Sequence, residues 1–84
     1  MSTLTISYDK RHDILYVRDP NAGHSYGEEE ADGTIIYRAI SDDSLTGMAI
    51  FDISQRIKDR SFKLSNLYIP LGDYEQKIQA MIAQ

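Results

Sequence analysis

Residues 3 to 8 alternate polar and apolar as Thr3, Leu4, Thr5, Ile6, Ser7, Tyr8. This period of two predicts a half-buried strand with Leu4, Ile6 and Tyr8 turned inward. The polar run Asp9-Lys10-Arg11-His12-Asp13 predicts a turn, and the β-branched and aromatic Ile14-Leu15-Tyr16-Val17 predicts a second strand that ends at Asp19-Pro20. The two form a hairpin. Asn21 to Gly27 follows a proline and holds two glycines, so it reads as a loop, and Ser25 to Glu30 as a short edge strand whose glutamates block edge-to-edge pairing. Ala31-Asp32-Gly33 turns into a strong strand at Thr34 to Ile40. Ser41 to Thr46, with Asp42 and Asp43, reverses the chain, and Gly47 to Phe51 runs back. Consecutive strands joined by short polar turns predict an antiparallel β-meander of four to five strands.

After Phe51 the period changes. Asp52 and Gln55 have capping-box spacing, and Ile53 and Ile57 stand four apart, which predicts a short helix from Ile53 to Arg60. Phe62-Lys63-Leu64 and Leu67-Tyr68-Ile69 read as extended pieces stopped at Pro70. Asp73 and Gln76 repeat the capping-box spacing. Tyr74, Ile78, Met81 and Ile82 then form one apolar stripe, so a C-terminal amphipathic helix over Tyr74 to Ala83 is expected to pack on one sheet face. The predicted class is α+β, with residues 1–84 as a single domain.

The strands also predict an association state. Ile14 to Val17, Ile35-Ile36 and Ala49-Ile50-Phe51 are apolar on both faces, as in strands buried on both sides. Two short helices cover one face. The other is left larger than soluble monomers usually expose, so a homodimer is expected. The competing expectation is that Phe62 to Ile69 folds over that face within one chain.

Composition narrows the classes. An 84-residue chain with 42% apolar and 26% charged residues is a folded globule with no room for a second core. It has no cysteine, which excludes disulfides and thiolate metal sites. No apolar run exceeds four residues, as at Met48 to Phe51, against the ~20 a membrane helix needs. The opening Met1-Ser2-Thr3-Leu4 has neither a basic start nor an apolar stretch, so a cytoplasmic location is expected, with no membrane partner. The net charge of −4 is uneven: Glu28 to Asp43 carries six acids against Arg38, and Arg56 to Lys63 carries four bases against Asp59. An acidic whole argues against nucleic acid as a partner, and the basic patch 56–63 reads as a solvated helix face and turn.

Tyr8-Asp9, Asp13-Ile14-Leu15-Tyr16-Val17-Arg18, the acids Glu28 to Glu30, Asp32-Gly33 and Leu45 to Asp52 together resemble the small bacterial domain-of-unknown-function 2283 family. The resemblance covers about residues 8–54. It implies a compact β-meander of uncharacterised activity, in a family whose members are often encoded beside small toxin-like genes. It thereby implies a partner-binding role and does not imply an enzyme. Ala49 stands where the family usually has an acid, and Asp43-Ser44 where it tends to have Asp-Gly, so the role of that carboxylate is absent here. From Arg60 to Gln84 there is no resemblance.

Candidate chemistry is sparse. Asp9, His12 and Asp13 could form a general base beside a carboxylate or hold a metal, but turns favour the same residues, and no H-x-x-x-H or H-E-x-x-H spacing is present. Glu28 to Glu30 with Asp32 lack the ordered spacing of a calcium loop and read as edge-strand charge. No Ser sits in G-x-S-x-G, and the glycines are scattered singly, which excludes a phosphate loop. Tyr8, Tyr16 and Tyr37 read as inward core residues and not as base-stacking ones. No catalytic, cofactor-binding or metal residue is therefore assigned. The expected function is a protein-interaction or regulatory module, an antitoxin-like partner of a small basic protein attracted by residues 28–43. The alternative is a small metal-assisted hydrolase or ligand-binding enzyme using Asp9, His12 and Asp13.

Overall fold

The alternation at the start of the chain becomes strand β1 (Thr5–Asp9), and Leu4, Ile6 and Tyr8 pack against the core as their spacing requires. The computed structural model describes residues 4–59, 67, 69 and 71–83. A polar turn leads to β2 (Ile14–Arg18), which pairs with β1 in antiparallel register, Ile6 opposite Val17 and Tyr8 opposite Leu15. The remaining strands are β3 (Ser25–Glu29), β4 (Ile35–Ala39) and β5 (Leu45–Phe51). Helices α1 (Ile53–Lys58) and α2 (Tyr74–Ala83) complete an α+β fold.

The five strands form one antiparallel sheet in the order β1-β2-β5-β4-β3. The order departs from a consecutive meander at one place, because β5 sits between β2 and β4. Strands β2 to β5 thus take the Greek-key arrangement, three hairpin-linked strands with the fourth returning beside the first. Composition explains the departure. In β5 every residue from Thr46 to Ile50 is buried, whereas every residue of β3 is exposed. A Ser-Tyr-Gly-Glu-Glu strand cannot occupy the centre of a sheet without burying carboxylates, so the chain carries it to the edge. The six-residue connection from β2 to β3 must cross three strand spacings, about 14 Å, which six extended residues span with ease.

The core lies on one face. Leu15, Val17, Met48 and Ile50 meet Ile53 of α1, Leu71 and Ile78 of α2, all at most 3% exposed. Tyr74 and Ile82 of the predicted helical stripe pack against this cluster, and the Tyr74 hydroxyl accepts a hydrogen bond from the Leu4 backbone N–H at 3.1 Å. Leu67 and Ile69 pack on the same face. The extended pieces predicted between the helices otherwise lie outside the described residues. No described helix is long and apolar enough to cross a membrane.

Two local expectations are corrected. Asp52 does not cap α1: it adopts a left-handed conformation, φ 55°, and makes no side-chain capping bond. Tyr16 and Tyr37 do not face the core. In β2 the inward positions go to Leu15 and Val17, so period two turns Tyr16 to the other face, and pairing through Ala49 and Gly47 places Ile35 and Tyr37 there as well.

Candidate functional site

The turn between β1 and β2 holds the three residues with the most chemistry in the sequence, and it brings only two of them, Asp9 and His12, together. His12 Nδ1 lies 2.9 Å from Asp9 Oδ2, an exposed contact within the turn, and the His12 backbone N–H donates to Asp9 Oδ1 at 3.1 Å. These bonds, the side-chain contact with His12 first, hold the Asp9 carboxyl below its usual range.

Asp13 faces the other way. Its carboxylate accepts the Ser54 hydroxyl at 2.7 Å, the Ser54 backbone N–H at 3.1 Å and the Tyr8 phenol at 2.7 Å, while its backbone carbonyl accepts the Ile53 N–H. It thereby does for α1 what Asp52 does not: its carboxylate accepts the Ser54 N–H of the first turn and places a negative charge at the positive end of the helix. Burial pushes the Asp13 carboxyl up, but the bonds from Ser54 and Tyr8 outweigh it and hold the group below its usual range. The same bond to Asp13 raises the Tyr8 phenol. Asp9, His12 and Asp13 therefore divide into a surface pair and a remote helix cap. Among the described residues no group of three or more His, Asp or Glu side chains is arranged to hold a metal.

Helix α1 is tied at its other end to the acidic stretch. Arg56 bonds Asp32 Oδ2 and Thr34 Oγ1, each at 3.3 Å, and the Asp32 backbone carbonyl. The Thr34 backbone N–H, and then burial acting against it, set the Asp32 carboxyl, which is held below its usual range. One member of the basic patch 56–63 is thus a clasp and not a freely solvated charge. In the stretch 28–43, Glu28 pairs with Arg38 at 3.2 Å, Asp42 accepts the Ser44 hydroxyl, and Asp43 accepts the Tyr26 phenol. Glu29 lies exposed on the edge strand with Glu28.

The feature that stands apart is the sheet face opposite the core. Register aligns Ile14 with Phe51, Tyr16 with Ala49 and Ile35, and Arg18 with Gly47 and Tyr37. Tyr16 is 38% exposed and Phe51 40%, whereas Ala49 between them is 1% exposed under its larger neighbours. Both helices, Leu67, Ile69 and Leu71 belong to the core on the other face. Glycine shapes this surface: a Cβ on Gly47 would stand 2.6 Å from the Val17 carbonyl oxygen, and one on Gly27 would stand 3.3 Å from the Tyr37 ring. Tyr37 lies across these two bare positions, an aromatic ring covering edge glycine.

Comparison of the chain with family models, with curated proteins and with solved structures gives no match.

Proposed function

We propose that this protein is a small interaction module that works through its open sheet face, pairing with a second copy of itself and presenting its acidic edge to a small basic partner. The observation that carries this reading is the position of Tyr16 and Phe51, two large side chains about two-fifths exposed on the paired strands β2 and β5 of a sheet whose helices lie on the other side. A soluble chain keeps such a surface at a cost in solubility unless something covers it. Of the rival cover, Phe62 to Ile69, the two described residues, Leu67 and Ile69, pack on the core face. A two-fold contact of the face with itself is the commonest way to cover such a surface.

The acidic end of the module lies beside this face. Glu28 and Glu29 sit on the exposed edge strand, whose outer backbone groups have no neighbouring strand among the described residues, and Asp42 and Asp43 lie in the turn next to it. Charge of one sign on an edge repels like copies and raises the encounter rate with basic partners. The antitoxin-like or regulatory role implied by the family resemblance belongs to this same reading. A hydrolytic site at Asp9, His12 and Asp13 has no such support, because the Asp13 carboxylate is committed to Ser54 and Tyr8. The test is sedimentation equilibrium of the wild type and of Phe51→Lys. The wild type should show twice the chain mass at tens of micromolar and the variant a single chain. A single-chain mass for both would contradict the proposal.

A further inference from the structure

At the end of the sheet away from α1, the loop entering β3 encloses a cavity of about 370 Å³ against the open face. Its floor is Gly47, whose lack of a side chain leaves a gap in the row between Arg18 and Tyr37. Tyr16, His24, Ser25 and Thr46 contribute the remaining polar lining. Gly47 is required twice over, since a Cβ there would both strike the Val17 carbonyl and fill the floor.

Within this cavity Ser25 Oγ and Thr46 Oγ1 bond each other at 2.8 Å. The hydroxyls of Tyr8, Tyr26 and Tyr74 are each engaged by hydrogen bonds within the chain. Among the described residues, the side chains of Tyr16, Tyr37, Arg18 and His24, all lining the cavity, make no hydrogen bond or ion pair. Arg38 and Arg56, by contrast, both hold carboxylates. A guanidinium, an imidazole and two phenols that make no such bond among the described residues thus surround one glycine-floored hollow.

We infer that this cavity binds a small flat ring carrying an anionic group, with the Arg18 guanidinium on the carboxylate or phosphate and Tyr16 and Tyr37 against the ring. A guanidinium matches either anion with two parallel hydrogen bonds. The aromatic walls select a planar body, and the volume lies at the small end of ligand sites, which run from about 300 to 1,000 Å³. His24 supplies a further donor from the loop. This site shares Tyr16 with the surface proposed above as an interface, and its test is arranged so that the two readings can fail separately.

The experiment is an amide-resolved NMR titration of the full chain with 2-naphthoate, adenosine monophosphate, their neutral counterparts 2-naphthamide and adenosine, and inorganic phosphate. It is run on the wild type and on Phe51→Lys, which lies outside the cavity lining and prevents a second copy from covering it. Saturable shifts at Arg18, Gly23, His24 and Gly47 are expected with the charged ring compounds. A response to naphthoate alone identifies a carboxylate ligand, and one to the nucleotide alone a phosphate ligand. Arg18→Gln should weaken binding at least about tenfold, and His24→Ala should weaken it without altering the fold. Absence of a saturable shift with either anion in Phe51→Lys overturns the inference. So does equal binding of the neutral counterparts, equal binding of inorganic phosphate, or affinity unchanged by Arg18→Gln.

Discussion

Asp13 combines two roles that are seldom found in one turn residue. At φ 57° it closes the β1–β2 hairpin in the left-handed region that Asp and Asn tolerate, and its carboxylate caps a helix that begins forty residues later. Asp13→Asn keeps the backbone preference but replaces a charged two-oxygen acceptor by one neutral oxygen. It should lower stability by about 1 to 2 kcal/mol at neutral pH. The sign with pH follows from the depressed carboxyl. Its contribution is complete above the ordinary Asp value, about 3.9, and is lost as pH falls through the lower folded value, so the gap between variant and wild type should close in strong acid. Denaturant melts at several pH values measure this, and a gap constant down to strong acid would refute the capping role. His12→Ala should shift stability by no more than about 0.5 kcal/mol, because its contact with Asp9 is exposed. The turn itself was legible from its polar run. The cap was not, because Asp52 offered a nearer candidate with the right spacing, and a partner 41 positions away leaves no periodic trace.

At the scale of elements, burial decides placement. Helix α2 matches the bounds its apolar stripe predicts, and Tyr74, Ile78 and Ile82 of that stripe pack on the core. Ile78 is fully buried at the centre of that stripe, so Ile78→Asp should cost about 2 to 5 kcal/mol. A variant that melts with the wild type would show that the helix is not part of the core. Strand order was harder to read. The edge character of Ser25 to Glu29 is visible in its glutamates, and placing it at the edge already rules out consecutive order. What the pattern does not fix is which strand replaces it beside β2, since Thr34 to Ile40 and Gly47 to Phe51 are similarly apolar. Gly47, where a Cβ would stand 2.6 Å from the Val17 carbonyl oxygen, permits the close approach of β5 to β2 in that place. In the same way, strands apolar on both faces give no sign of which face is inward. The assignment of Tyr16 and Tyr37 reversed for that reason.

For the whole molecule, two faces of one sheet divide the work. The covered face holds the core, and α1 locks the end of the sheet by joining the β1–β2 turn at Asp13 to the β3–β4 turn at Asp32. The open face remains apolar in the middle, with Glu29 at its β3 edge. Its existence was legible from strands with apolar residues at both parities; the cavity at its end was not, because Arg18, His24 and Gly47 come together only through pairing across distant segments. The most direct test of the account is isoleucine-methyl NMR over a dilution series from near-millimolar to micromolar protein. Ile14 and Ile35 report the open face, and Ile50, Ile53 and Ile78 report the core. Self-association through the open face should move the Ile14 and Ile35 signals with concentration and leave the core signals in place. Signals from both faces that stay fixed across the series, or movement confined to the core set, would contradict it.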